Sequence, residues 1–271
     1  MMLMNLIKSD MAIITLLIVV SVLSMFFSLH VGRFGLNPGD VMLFFKSLCF
    51  SNVQVPEVVE TVLLNIRIPR ILAAFFIGGS LALSGCAYQA LFRNPMVSPS
   101  ILGVSAGAGF GAAVAILFSL NSYLIQLFAF VFGITAVIIA YFIGSITGRS
   151  YDRNLSLILI GMIITAVFTA LLSGMKYIAD PNNTLPAIEY WLMGGLSGIQ
   201  LIDLKFIIII SVVGIAMLSL LGWKLDILSF GEEEAQTIGV NVKILRVSII
   251  IIATLLTAAA VSISGVIGWV G

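Results

Sequence analysis

Residues 67–111, RIPRILAAFFIGGSLALSGCAYQALFRNPMVSPSILGVSAGAGFG, contain one apolar run and the beginning of a second, separated by a short polar segment. The runs cover 71–91 and 101–120, and each matches the roughly 20 residues that an α-helix needs to cross a bilayer. Arg67 and Arg70 stand where the first run begins, and the proline of the segment RNP prevents that helix from continuing. Because lipid offers the backbone no hydrogen-bond partner, we expect both runs to be membrane-spanning helices.

The rest of the chain repeats this pattern. Hydrophobic residues make up 61% of the 271 residues and charged residues only 9%, which excludes an ordinary soluble domain. The run at 11–29 is too long for the apolar core of a signal peptide, so it is predicted to be a true span. Further spans are predicted at 124–148, 155–177, 204–222 and 244–262, with another apolar start at Val266. The chain is therefore predicted to be an all-α polytopic membrane protein.

The distribution of charge indicates topology. The net charge is +1 and Lys and Arg form no cluster, so nothing favours nucleic acid as a partner. Basic residues near span ends favour the cytoplasm, which places the loops around Arg149 and Lys224 there and, by parity, the amino terminus as well. The intervals 32–69 and 178–203 are predicted to be long connections outside the bilayer, the second with a short interfacial helix.

The stretch 229–240, SFGEEEAQTIGV, is too polar to lie in lipid and has the pattern of a short helix. Ser229 and Glu232 have the spacing of a capping box, and Gly239 stands where such a helix would end. Ala235 and Ile238, three residues apart, are expected on one face of it. From these residues alone a docking helix and a solvated turn are equal alternatives.

Small residues follow the second span. Gly103, Gly107 and Gly111 lie four residues apart, a spacing that lets another helix backbone approach closely. Tight packing is one interpretation, and lining of a transport path, with Ser105 among these glycines, is the other.

The chain carries no signature of an energy source of its own. The ATP-binding pattern G-x-x-x-x-G-K-[ST] is absent, and charged residues inside the spans are nearly absent, although proton- or sodium-driven carriers usually place some there. This favours a partner ATPase over a stand-alone channel or secondary carrier, which remains the alternative.

Four segments together resemble one family. Within 67–111 the patterns Arg-x-Pro-Arg, Ser-Gly-x-x-x-Gln, Asn-Pro and Leu-Gly-x-x-x-Gly-Ala follow in order, and the segments YWLMGGLSG (190–198), GEEEAQTIGV (231–240) and SGVIGWVG (264–271) also match. The chain is similar to the permease subunits of ABC importers for iron-siderophore complexes, haem, vitamin B12 and related metal chelates. The resemblance implies a type II importer bundle in the cytoplasmic membrane of a prokaryote.

The resemblance also implies an assembly: a second copy of the permease as a homodimer, ABC ATPase subunits, and a periplasmic or lipoprotein substrate-binding protein, all around membrane lipid. ATP and Mg would bind in the partner ATPase, so the chain itself is expected to hold no cofactor, no metal and no catalytic residue. The cargo is expected to be an iron complex or a related chelate such as cobalamin, moved by alternating access.

The resemblance further implies roles for particular residues. Arg67 and Arg70 would bind acidic residues of the binding protein, with anchoring at the membrane interface as the alternative. Residues 230–239 would form a cytoplasmic coupling helix for the ATPase. Its predicted coupling residues are Gly231, Glu232, Glu233, Glu234, Ala235, Gln236, Ile238 and Gly239. Residues 1–271 are expected to form a single transmembrane domain.

Members of this family have ten membrane helices, of which we expect about seven to eight here. The family's final helices would follow Gly271, so a non-functional truncated permease is a further alternative. In that case the small-residue face TAAAVSISG at 257–265 is expected to lack packing partners.

Overall fold

The computed structural model describes residues 2–32, 34–50, 54–147 and 153–267, and these fold into helices joined by short connections. A π-helical stretch, Val62–Arg67, joins α3 to α4. The α-helices are α1 Met2–Ser28, α2 Pro38–Cys49, α3 Glu57–Thr61, α4 Ile68–Phe92, α5 Val104–Leu117, α6 Ser122–Thr147, α7 Arg153–Ile178, α8 Thr184–Met193, α9 Leu201–Phe230, α10 Glu232–Thr237 and α11 Val242–Ser264. The prediction of an all-α polytopic protein is confirmed.

Six helical segments in the described residues are long and apolar enough to cross a membrane, and they correspond to six of the predicted spans. They are Met11–Ser28, Glu57–Phe92, Ser122–Ile146, Asn154–Ile178, Leu201–Phe230 and Val242–Ser264. The interval 32–69 is not wholly a connection as predicted, because helix begins at Glu57 and runs without a break into α4. The interval 178–203 does contain a short helix, α8. The loop at Arg149 and most of the apolar start at Val266 lie outside the described residues.

The predicted span at 101–120 is wrong in length. Helix α5 has only 14 residues, which by the 1.5 Å rise per residue cover about 21 Å. Helix α4 ends at Phe92, and Arg93 then adopts a left-handed conformation with a φ of +50°. Pro95, two residues later, prevents the helix from continuing. The residues before α5 are therefore non-helical.

This non-helical segment runs beside the middle of α7. Gly103, with a φ of +90°, lies against Ile164 and Thr165, and the carbonyl oxygen of Ile101 would lie 2.3 Å from a methyl group placed on Gly161. Its backbone is satisfied by local turns, including the Gly103 amide that donates to Ser100 at 2.8 Å. Irregular backbone at membrane depth is tolerated when it is buried in protein, and Leu102 and Gly103 at the end of this segment are buried.

The chain divides into two compact units, residues 1–72 and 73–271. In the first unit, α1 exposes its whole apolar window, whereas the end of α1, α2 and α3 enclose a small core. The buried residues of that core are Leu29, Leu36, Val41, Phe44, Val59 and Leu63. The single transmembrane domain expected for 1–271 stays a prediction.

Helix α11 is the central helix of the second unit. Its apolar window is 72% buried, against 22–44% for the windows that contain α4, α6, α7 and α9. Ala258, Ala259 and Ala260 are completely buried, so the expectation that the face 257–265 lacks packing partners is wrong. Those partners come from α5, α6 and α9 of the same chain.

Helices α5 and α6 approach each other at the glycines of α5. A methyl group on Gly107 would lie 2.5 Å from the carbonyl oxygen of Phe132, and one on Gly111 would lie 2.4 Å from that of Phe128. The close helix contact expected of this spacing is therefore present, because no larger residue fits between the two backbones.

Hydroxyl pairs join α4 to α9 and α11 inside this apolar unit. The three hydroxyl residues of α4 are spaced by four, so they lie on one face of the helix. The pairs are Ser80 with Ser211 at 2.7 Å, Ser84 with Thr257 at 3.0 Å and Tyr88 with Thr254 at 3.0 Å. All six residues are buried, so each hydroxyl has the partner that an apolar environment requires.

Candidate functional site

The short polar helix α10 lies between two spanning helices and begins later than the sequence predicted. Helix α9 extends to Phe230 rather than to 222, so Ser229 is still helical and its hydroxyl donates to the Asp226 carbonyl at 2.6 Å. The predicted capping box from Ser229 to Glu232 is therefore wrong. Gly231, with a φ of +148°, makes the turn between the two helices instead.

The end of α10 is a Schellman motif. The amide of Gly239, whose φ is +88°, donates to the Gln236 carbonyl at 2.9 Å, and the amide of Val240 donates to the Ala235 carbonyl at 2.9 Å. Glycine suits this position because it adopts the left-handed conformation without strain. Glycines therefore bound the helix at both ends and fix its length at six residues.

Ala235 and Ile238 point in different directions, so the expectation that they share one face of the helix is wrong. Ala235 is completely buried in the same hydrophobic cluster as Leu228 and Leu245, whereas Ile238 is 62% exposed. Ile238 lies just beyond the last helical residue, where the helix has already turned toward Gly239. The exposed side of the segment consists of Glu233, Glu234, Gln236, Thr237 and Ile238.

A buried cation holds the inner side of α10. Arg246 of α11 is 2% exposed and forms an ion pair with Glu232, the first residue of α10. The same terminal nitrogen of Arg246 donates to Oδ1 of Asn154, near the start of α7, at 3.3 Å. The three elements α7, α10 and α11 are thus joined at one side chain.

The two arginines predicted to dock a binding protein have different surroundings. Arg67 is 7% exposed, and its guanidinium donates to the carbonyl oxygens of Leu29 and Phe34. A methyl group on Gly32 would lie 2.8 Å from the same guanidinium, so the loop after α1 wraps closely around it. Arg70, one turn later, is exposed. The side chain of Arg67 is therefore buried against its own chain, whereas Arg70 is an exposed residue.

A cavity of about 260 Å³ lies where α6, α8, α9 and α11 meet. Asp203 on its wall is 9% exposed and accepts hydrogen bonds from Gln126 at 3.0 Å and from the Gln200 amide at 2.9 Å. Two of the matching sequence segments come together there, because the Gly195 amide donates to the Ser264 carbonyl at 2.7 Å. The segments 190–198 and 264–267 thus form one structure although they are distant in sequence.

Sequence reasoning missed Arg246, Asn154 and the hydroxyl pairs. Arg246 stands inside the predicted span 244–262. A cation within a span normally has a specific partner, and this signal was available. The hydroxyl pairs had no comparable signal, because Ser and Thr also bond to carbonyls of their own helix.

Comparison with known proteins agrees with the resemblance drawn from the motifs. The model of the FecCD transport family matches residues 16–271. The molybdate import system permease MolB of Haemophilus influenzae is 37% identical over 95% of this chain and 75% of its own length. A probable iron chelatin transport system permease of Helicobacter pylori is 35% identical over 86% of this chain and 69% of its own length.

One solved structure matches the fold closely. It is described as a metal-chelate type ABC transporter in an inward-facing conformation, and it superposes with a TM-score of 0.83 at 36% identity, over 96% of this chain and 78% of its own. The relatives are transport permeases rather than enzymes. With six apolar spanning segments in the described residues, the chain is a multi-pass protein of the cytoplasmic membrane. The family match and these relatives together establish that the chain belongs to the FecCD transport family of ABC importer permeases.

Proposed function

We propose that this chain is the membrane subunit of an ATP-driven importer that moves an iron complex by alternating access. The observation that carries the proposal is α10, a short helix whose inner side is fixed to α7 and α11 while its outer side stays exposed. When a soluble partner displaces such an element, the displacement is transmitted to the spanning helices to which the element is attached. ATP and Mg would be held by that partner and not by this chain.

The docking surface for the ATPase is the exposed side of α10 together with Ile238. A 62% exposed isoleucine among polar residues suits a groove of a partner, since burying such a side chain contributes about 1.5–3 kcal/mol. Gly231 and Gly239 set the two ends of the segment. Ala235 would act indirectly, by seating the helix on the core of its own chain.

Replacement of Ile238 tests this surface. We expect Ile238→Arg to reduce co-purification of the ATPase at least tenfold, because the surface loses an apolar contact and gains a charge. Met193→Arg is the matched control, since Met193 is 79% exposed and the spanning helix α9 separates α8 from α10, which places the two short helices on opposite sides of the membrane. Equal recovery of the ATPase with both variants would refute docking at α10.

The binding protein would dock at Arg70. Arg70 is an exposed residue, and a guanidinium suits an acidic residue of a partner because charge-assisted bidentate pairs add both strength and direction. Arg67 would contribute indirectly, by holding the loop that follows α1 in place. A homodimer would present two such arginines to the two lobes of one binding protein.

There are two candidates for the transported cargo. An iron complex is proposed first, in line with the iron chelatin permease of Helicobacter pylori, and the 37% identity with MolB favours molybdate as the second. Cells that carry the importer should accumulate radioactive iron presented as a chelate in an ATP-dependent manner. Accumulation of radioactive molybdate instead, without iron, would select the second candidate.

A further inference from the structure

Arg246 is a buried cation at the point where three helices of the second unit meet. It lies in the second turn of α11, and its terminal nitrogen donates to Glu232 of α10 and to Asn154 of α7. We infer that Arg246 is a positioning residue that holds α10, α7 and α11 together, so that a displacement of α10 is passed to α11. This inference rests on the proposed function of α10.

The ion pair fixes the orientation of α10 in a way that apolar packing does not. Three glutamates follow one another in this helix, but Glu233 and Glu234 are exposed, and Glu232 alone turns to the buried arginine. The apolar contact of α10 is made by one completely buried alanine, Ala235. The charge-assisted bond at the first residue adds a second attachment with a defined direction.

The contact to Asn154 extends the fixed group to a second spanning helix. Asn154 is 5% exposed and lies near the start of α7. Because a guanidinium carries several N–H groups in a rigid plane, one arginine can hold a carboxylate and an amide oxygen together, which a lysine ammonium does less precisely. Movement of α10 would therefore displace the ends of α7 and α11 in common.

Helix α11 is suited to carry such a movement onward. It is the most buried of the spanning segments in the described residues, and it packs against α5, α6 and α9. Its other end lines the cavity with Asp203. A displacement that enters at Arg246 therefore reaches the centre of the unit and the far end of α11.

The test follows the far end of α11 in the complex of permease and ATPase in lipid nanodiscs. Cys49 and Cys86 are replaced by serine, and Ile263→Cys serves as the reporter, labelled by a maleimide with and without ATP and vanadate. We expect Arg246→Gln and Glu232→Gln to reduce the ATP-dependent change in labelling rate roughly 2- to 30-fold while the ATPase still co-purifies. Lys243→Gln, which removes an exposed charge one turn earlier, should leave the change as in the parent protein.

Two further variants separate transmission from folding. Arg246→Lys keeps the charge and should give an intermediate change, and the exchange of both charges, Glu232→Arg with Arg246→Glu, should restore most of it. An unaltered response in Arg246→Gln would overturn the inference. Loss of the ATPase from that variant would also overturn it, because Arg246 would then build the docking surface. A parent complex that fails to bind the ATPase would refute the proposed function itself.

Discussion

The contact between α5 and α6 gives the sharpest prediction for stability. Replacing Gly111 with alanine places a methyl carbon 2.4 Å from the Phe128 carbonyl oxygen and 2.8 Å from Cβ of Phe132. A carbon–oxygen contact needs about 3.3 Å, so the two helices must separate by roughly 1 Å. The obstructing atoms belong to the backbone and to a Cβ, so a change of rotamer cannot relieve the collision.

The expected magnitude follows from two opposing effects. Overpacking of this kind lowers the free energy of unfolding by about 1–3 kcal/mol. Alanine is also a better helix former than glycine by about 1 kcal/mol, which offsets part of the loss. Gly174→Ala in α7 isolates the second effect, because a methyl group there meets no atom within 4 Å. We therefore expect Gly111→Ala to be less stable than Gly174→Ala by about 1–3 kcal/mol.

Unfolding by SDS in mixed micelles, followed by circular dichroism, measures both variants under the same conditions. The difference between them removes the contribution of helix propensity, so it reports the α5–α6 contact. If the two variants agree within about 0.5 kcal/mol, the size expected of an unremarkable surface change, the close approach of the two backbones is refuted.

Three further predictions concern polar and backbone contacts. In the same assay, Ser84→Ala and Thr257→Val, made singly and together, should give a coupling free energy of about 0.6 kcal/mol, with about 1.7 kcal/mol as the upper limit. Purely additive effects would argue against the hydroxyl pair. Arg67→Gln should speed proteolysis of the loop after α1, whereas Arg70→Gln should leave proteolysis unchanged and weaken capture of the binding protein up to roughly fivefold; the opposite pattern would exchange their roles. Arg93→Gly should raise the free energy of unfolding by about 1 kcal/mol because it relieves a positive φ, and Arg93→Val should lower it.

The sequence predicts spans well where apolar content alone decides the structure. Six predicted spans correspond to spanning segments, because any run of about 20 apolar residues has no other stable structure in lipid. The prediction of a span at 101–120 also relied on apolar content alone, and it was wrong in length. Composition does not reveal that the residues near Gly103 are non-helical where they lie beside α7. That conformation depends on burial by another part of the chain.

Neither the start nor the orientation of α10 could be predicted from the sequence. Ser229 fits a capping box in isolation, but α9 continues through it, and a residue inside a helix cannot cap the next one. Likewise the spacing of Ala235 and Ile238 predicts a shared face only if the helix reaches the second residue, and it ends at Thr237. Gly239 was the reliable signal, because a positive φ is a local property that glycine adopts without strain.

In the proposed mechanism, helix α11 transmits a displacement from one face of the membrane to the other. Its polar contacts lie at three levels: Arg246 near its start, Thr254 and Thr257 in its middle, and Ser264 at its end. From Arg246 to Ser264 the rise of 1.5 Å per residue gives about 27 Å, close to the thickness of the hydrocarbon core. The helix contains neither proline nor glycine between Val242 and Ser264, so a kink caused by either residue is absent from it. In α9, by contrast, Gly214 and Gly222 interrupt the helix surface. In the proposed mechanism a shift imposed through Arg246 is therefore carried along α11 to the Ser264 contact with the segment 190–198.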